Sequence, residues 1–152
     1  IHQPSYSLIN RWIEKDLSSS LKRNEIGCIA FSPLAQGMLS KKYLKGIPKI
    51  SRANQTITSL DKKLITKRNI QIIQELNMIA KNRGQSLSQM AIAWVLNNKI
   101  ITSALIGVRN TKQLLENVHA LENLNFSKEE LKLIDKKALD GGINIWAQSS
   151  SF

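Results

Sequence analysis

Residues Cys28-Ile29-Ala30-Phe31 are apolar at every position and stand between Gly27 and Ser32-Pro33. A strand with one wet face alternates apolar and polar residues. A short run with no polar position suits a strand buried on both faces, as in a parallel sheet. Parallel neighbours need crossover connections, usually helices, and the flanking stretches supply helical patterns. Leu8, Ile9, Trp12, Ile13, Leu17 and Leu21 recur at helical spacing before the run. Ile65, Ile72, Ile73, Leu76, Ile79 and Ala80 do so after it and are closed by Gly84. Ser86-x-x-Gln89 is a capping box that opens a third stripe of Leu87, Met90, Ala91, Trp94 and Val95. Ser103 to Ile106 reads as a further strand that stops at Gly107, and Leu114, Leu115, Val118 and Leu121 form a fourth helical stripe. Phe126-Ser127-x-x-Glu130-Leu131 joins a capping box to a hydrophobic staple, so a last helix starts there and ends before Gly141-Gly142. Ile1 to Gln3 reads as the end of a strand cut off by Pro4, and the tail from Ile143 as irregular.

The order strand, helix, strand, helices, strand, helix, helix implies an α/β fold with a parallel sheet. Only about three strands are visible, and so few leave open edges and cannot close a barrel. The 152 residues begin at Ile1, inside a strand pattern, so the expectation is the later part of something larger. Residues 32–58 lack period and contain Pro33, Pro48, Gly37 and Gly46. They read as a long loop with a turn of helix near Met38-Leu39. Structureless loops of that length are usually functional or disordered.

Charge narrows the partners. The formal net charge is +11, which attracts anions in general. The lysines are spread out, with no basic patch interleaved by aromatics, which argues against nucleic acid. No apolar run approaches the roughly 20 residues that span a bilayer, so no membrane partner is expected. The opening IHQPSYSLIN lacks a signal-peptide pattern. Cys28 is the only cysteine; it can form neither an internal disulfide nor a metal cluster, and a reducing cytoplasm is the expected compartment. His2 and His119 have no second ligand at useful spacing and read as structural.

Ligands of parallel α/β folds bind beyond the carboxyl ends of the strands. Two such ends are clear: Ser32-Pro33-Leu34-Ala35-Gln36-Gly37 after Phe31, and Gly107-Val108-Arg109-Asn110-Thr111 before a helix. The second could be an anion site at a helix N-terminus or an ordinary junction capped by Asn110. No Rossmann fingerprint or P-loop decides between them.

The stretches FSPLAQGMLSKKYL, SLSQMAIAWVL and LIGVRNTKQLLENV, extended by IHQPSYSLINRW and FSKEELKLID, resemble the C-terminal half of an aldo-keto reductase. The branch holds bacterial glyceraldehyde 3-phosphate reductase-like enzymes and potassium-channel β-subunits. The resemblance covers nearly the whole chain. It implies a (β/α)8 TIM barrel binding NADPH, of which residues 1–152 would be a partial domain with about strands 6 to 8 and their helices, the N-terminal half being absent. It also implies cofactor contacts. Gln3 matches a Gln that holds the nicotinamide carboxamide, and Phe31 the aromatic that stacks on the nicotinamide. Ser32, Pro33, Leu34, Ala35 and Gly37 match the loop along the pyrophosphate and ribose. Lys42 and Arg52 match basic residues at the cofactor, Arg52 near the adenosine 2′-phosphate. Gly107 and Arg109 fall in the adenosine-side turn, with Arg109 departing from the Ser common in this branch. Gln113, Glu116 and Asn117 match a Gln-x-x-Glu-Asn that grips the adenosine end. Trp146 would border a substrate pocket.

The family's chemistry uses a Tyr proton donor with an Asp, a Lys and a His. These lie on the first half of the barrel, so none is carried onto this chain. The implied reading is an NADPH-dependent reductase of small aldehydes or ketones, of which this chain supplies the cofactor cradle and no catalytic residue. Its implied partner is the missing N-terminal half, and self-association stays open. The alternative is a catalytically inactive remnant or regulatory cofactor-binding module.

Overall fold

The computed structural model describes residues 1–47, 60, 62–138 and 140–144. Strands β1 (Cys28–Phe31) and β2 (Ile101–Leu105) pair in parallel. Cys28 stands opposite Ile101 but Ile29 opposite Ser103, so Thr102 is the extra residue of a bulge. Its Oγ1 accepts from the Cys28 N–H at 3.2 Å. A side chain at Gly27 would meet the same hydroxyl oxygen at 3.2 Å, so Gly27 leaves the bulge its room. The second strand therefore starts before Ser103, because buried Ile101 already pairs, and it ends at Leu105 rather than Ile106.

Residues 2–6 run parallel along the other edge of β1, with His2 opposite Cys28 and Ser5 opposite Phe31. His2 N–H donates to Gly27 O (2.8 Å), Ile29 N–H to His2 O (2.9 Å), Phe31 N–H to Pro4 O (3.0 Å) and Tyr6 N–H to Phe31 O (3.1 Å). One rung is missing at Pro4, which has no N–H to donate. The expected strand is thus not cut off by the proline; it loses one bond and continues to Tyr6.

Helices α1 (Leu17–Arg23), α2 (Lys67–Asn82), α3 (Leu87–Asn97), α4 (Thr111–Val118) and α5 (Lys128–Lys137) follow the sequence stripes. Both predicted capping boxes form, at Ser86/Gln89 and Ser127/Glu130. The first stripe is the exception. Leu8 and Ile9 are buried, yet they lie in a turn closed by reciprocal Ser7 and Asn10 backbone bonds of 3.1 Å. A single 3-10 turn at Trp12–Glu14 precedes α1. Asn10 Nδ2 donates to Ser5 Oγ (3.1 Å) and Trp12 Nε1 to Ser5 O (2.8 Å). Side chains that bond locally offer the backbone an alternative to a helix.

α3 is buried nearly all round, as a central helix must be. It packs on β2, α2 and α4, and α5 packs on α2. Among the described residues the sheet is fully covered on one face, and on the other only around Ser5, which pairs with Phe31 and is buried. Cys28 and Ala30 are wholly buried, while Ile29 and Phe31 on the opposite face are half-buried, and Gln3, Ser103 and Leu105 on that face are exposed. The reading of β1 as buried on both faces therefore holds for one face. The stripe on α4 is open as well: Leu114, Leu115 and Val118 are exposed, as is Leu121 in the 3-10 turn that follows.

Candidate functional site

A cleft of about 500 Å³ opens beyond the carboxyl ends of β1 and β2. One wall is the loop that leaves β1. Its backbone enters the left-handed region at Ser32 (φ 54°), Ala35 (φ 47°), Gln36 (φ 56°) and Gly37 (φ 96°). For a residue with a Cβ that region costs on the order of 1–2 kcal/mol, so the surroundings must hold the loop. Ala35 N–H donates to Ser32 O (2.9 Å), Gly37 N–H and Leu39 N–H both donate to Leu34 O (2.9 and 3.1 Å), and Ser40 Oγ donates to Gly37 O (2.6 Å). Met38 and Leu39 are fully buried. A 3-10 turn at Lys41–Tyr43 follows, capped by the Ser40 side chain.

The other wall is the turn from β2 into α4. Asn110 caps the helix by accepting from Gln113 N–H at 2.9 Å, and Gln113 Oε1 accepts from Arg109 N–H at 3.0 Å. The helix N-terminus and Arg109 both favour negative charge here. Gln89 Nε2 of α3 donates to Glu116 O at 3.1 Å, which seats α4 on the central helix.

Of the residues proposed from sequence, Ser32, Pro33, Leu34, Gly37, Lys42, Gly107, Arg109 and Gln113 line this cleft. Ala35 is buried beneath the loop. Phe31 is half-buried at the end of β1, opposite Leu105, and Gln3 is exposed on the neighbouring strand; neither lines the cleft. Strand alternation puts Gln3 and Phe31 on the same, uncovered face of the sheet. Glu116 is exposed, whereas Asn117 is buried one turn beyond Gln113, and its Nδ2 has no hydrogen-bond partner. Arg52 and Trp146 lie outside the described residues.

Sequence reasoning passed over Gln36, Ser40, Tyr43, Leu105, Ile106 and Val108, which also line the cleft. Gln36 stands inside the very SPLAQG stretch that marked the loop. The others become neighbours only because the two loops meet. Where side chains would stand at Gly37 and Gly107 the space is open, so a ligand can approach the backbone. Two cations, a helix N-terminus, two serine hydroxyls and this open backbone suit a phosphate-bearing nucleotide.

The titratable groups elsewhere suit other roles. Burial, and then the Glu14 carboxylate that accepts its hydrogen bond at 2.7 Å, hold the Tyr6 phenol far above its ordinary range. Its ring packs on Trp94 at 5.1 Å, which belongs to the core as its stripe predicted. Burial pushes the Cys28 thiol up. Among the described residues no group of three His, Cys, Asp or Glu could hold a metal ion. No described helix is long and apolar enough to cross a membrane.

The model of the "Aldo/keto reductase family" matches residues 1–139. The chain is 49% identical to the L-glyceraldehyde 3-phosphate reductase of Escherichia coli (strain K12), over 99% of the chain and 44% of that protein. It is 36% identical to a putative voltage-gated potassium channel subunit beta of Schizosaccharomyces pombe, over 88% of the chain and 40% of that protein. The glycerol dehydrogenase structure from Gluconobacter oxydans superposes with a TM-score of 0.71 at 25% identity, over 88% of this chain and 40% of that one. An aldo-keto reductase from Bacillus halodurans shares the fold at a TM-score of 0.66 and 18% identity, over 90% of this chain and 42% of that one. The chain thus spans less than half the length of the relatives it matches.

Proposed function

The chain belongs to the aldo/keto reductase family, and from that premise we propose that it supplies the NADPH-binding part of a (β/α)8 reductase of small aldehydes or ketones. The observation that carries this is the cleft at the carboxyl ends of two parallel strands, with Lys42, Arg109 and the start of α4 around it. When bound, NADPH supplies the hydride. Lys42 and Arg109 attract its phosphates, and the left-handed loop brings backbone close to them. Gln113 and Asn117 take the adenosine end, Glu116 standing beside them, and Arg52 takes the 2′-phosphate. Phe31 and Gln3, on the uncovered face, take the nicotinamide. The likeness to the L-glyceraldehyde 3-phosphate reductase favours a phosphorylated triose among small aldehydes.

The proton donor is assigned to a part of the barrel outside this chain. The sequence has two tyrosines. Tyr6 donates its hydroxyl hydrogen bond to Glu14, and Tyr43 is 1% exposed. Two features support a covering half: a parallel sheet normally has both faces covered, and here the face of Gln3, Ile29 and Phe31 is not. The likeness to a channel β-subunit supports the second reading, a regulatory cofactor-binding module without turnover.

Titration of the intact protein with NADPH, followed by nicotinamide fluorescence, tests the proposal. Saturable binding that outcompetes NADH is the expected result. No binding overturns the cofactor reading, and binding without reduction of any small aldehyde favours the regulatory one.

A further inference from the structure

After α5 the chain returns to the carboxyl end of the strand formed by residues 2–6. Gly141 N–H donates to Ile9 O at 3.0 Å, and Gly141 O accepts from Asn69 Nδ2 at 2.9 Å. The same amide nitrogen donates to Leu64 O at 2.8 Å, so both of its hydrogens are used. Asn69 stands in the first turn of α2 and is 3% exposed. A side chain at Gly141 would meet Asn69 Oδ1 at 3.2 Å. Beyond this clip Ile143 is buried in the core, and Asn144 Oδ1 accepts from Ser5 Oγ at 3.5 Å. Ser5 pairs with Phe31, and alternation puts it on the face of Gln3 and Phe31. A leucine would fill the space of Asn69 without the cost of burying an amide. An amide whose two hydrogens go to carbonyls of two separate segments fixes both in place.

We propose that Asn69 is a positioning residue for the carbonyl substrate: with Gly141 it clips residues 140–144 beside Ser5, where they form a wall of the substrate's place. This rests on the reductase reading, in which the nicotinamide lies on Phe31 and Gln3. Hydride transfer needs the substrate carbonyl close against the nicotinamide, hence on the same face, next to Ser5. The cofactor phosphates are assigned to the cleft of Lys42 and Arg109, which neither Asn69 nor residues 140–144 line. The clip therefore acts on the substrate and leaves NADPH alone.

The test measures NADPH affinity, melting temperature, and kcat and KM for glyceraldehyde and its 3-phosphate, all on the intact protein. Asn69→Ala removes the donor from Gly141 O and from Leu64 O. Gly141→Ala keeps the amide but crowds it, and leaves Leu64 untouched. We expect each to raise KM about tenfold, the loss of one hydrogen bond, with kcat and NADPH affinity unchanged, the mark of lost substrate binding. The double variant should lose no more than the worse single one, because both act on one contact. A lower melting temperature with unchanged KM makes Asn69 a structural residue and overturns the proposal. Losses that multiply in the double variant, or NADPH binding weakened as much as substrate binding, also overturn it. Failure of the reductase reading shows instead in the wild-type protein, which would then reduce no aldehyde, and it takes the proposal with it.

Discussion

The Ser88 hydroxyl on α3 donates to the Leu39 carbonyl at 3.2 Å, with both residues buried. This bond ties the central helix to the loop whose earlier residues line the cleft. Leu39 N–H in turn donates to Leu34 O at 3.1 Å, so the tether reaches the cleft wall in one further step. Replacing Ser88 by Ala leaves the Leu39 carbonyl buried without that donor. We expect a loss of about 1–2 kcal/mol of stability and weaker NADPH binding, read by denaturant titration and fluorescence on the same samples. Lower stability with unchanged binding would show that the loop keeps its shape without the tether.

Arg83 is expected to matter for folding alone. Its side chain is 2% exposed and pairs with Glu130 at 2.8 Å. Its guanidinium lies 3.6 Å from the Phe126 ring centroid and donates to Asn125 O at 3.0 Å. It therefore fastens the connection between α4 and α5 to the end of α2. Arg83→Ala removes one partner of a largely buried pair, for which about 3 kcal/mol is expected. Arg83→Lys should recover only part of this, since a lysine cannot form the planar fork. Melting curves of the two variants in the intact protein decide the order.

Arg52 lies outside the described residues, and its assigned role is specific enough to test. Arg52→Ala should weaken NADPH binding by roughly 10- to 100-fold, the range for a charge-assisted hydrogen bond, with little change for NADH. Equal loss for both cofactors would refute the 2′-phosphate role.

Leu114, Leu115, Val118 and Leu121 present an open apolar stripe, and Leu105 is exposed as well. Residues 1–152 produced alone should aggregate or bind a hydrophobic dye, because so much apolar surface is uncovered. Light scattering and dye fluorescence measure this. A soluble monomer that unfolds in one cooperative transition would sink the idea of a covering half.

Tyr6 gives stability an alkaline limit. Its folded pKa is raised, chiefly by burial and then by the hydrogen bond to Glu14. The folded state therefore keeps a proton that the unfolded chain releases near pH 10. The contribution is fully present below that pH and is lost as pH rises beyond it. Denaturant midpoints of the intact protein should fall above about pH 10. Tyr6→Phe should be less stable at neutral pH, where the bond is lost, and flatter in alkali. Parallel curves for the two proteins would remove Tyr6 as the cause.

Much of the fold was legible because local rules decided it. Ser86 and Ser127 start helices because each side chain caps its own third residue, and the pattern is complete within four positions. The Ile72 to Ala80 stripe is likewise read from spacing. Leu8 and Ile9 misled for the converse reason. Burial sets their apolar character, while the bonds among Ser5, Ser7, Asn10 and Trp12 choose a turn over a helix, and no periodicity encodes those bonds. Pro4 misled in the opposite sense: it removes one rung, and the rungs on either side suffice to carry the strand through.

The sequence by itself determined the family, the cap positions, the core stripe on α3 and the SPLAQG loop, because each is written in contiguous residues. Only the tertiary structure decided that Ser32 to Lys42 and Gly107 to Gln113 face each other across one cleft, since that depends on β1 and β2 lying parallel in one register. It alone decided that one sheet face and the α4 stripe are open, because covering a face requires a partner surface that residue spacing does not specify. It alone showed the Gln36 carbonyl buried and unpaired, because satisfaction of a polar atom depends on every neighbour that the fold brings near it.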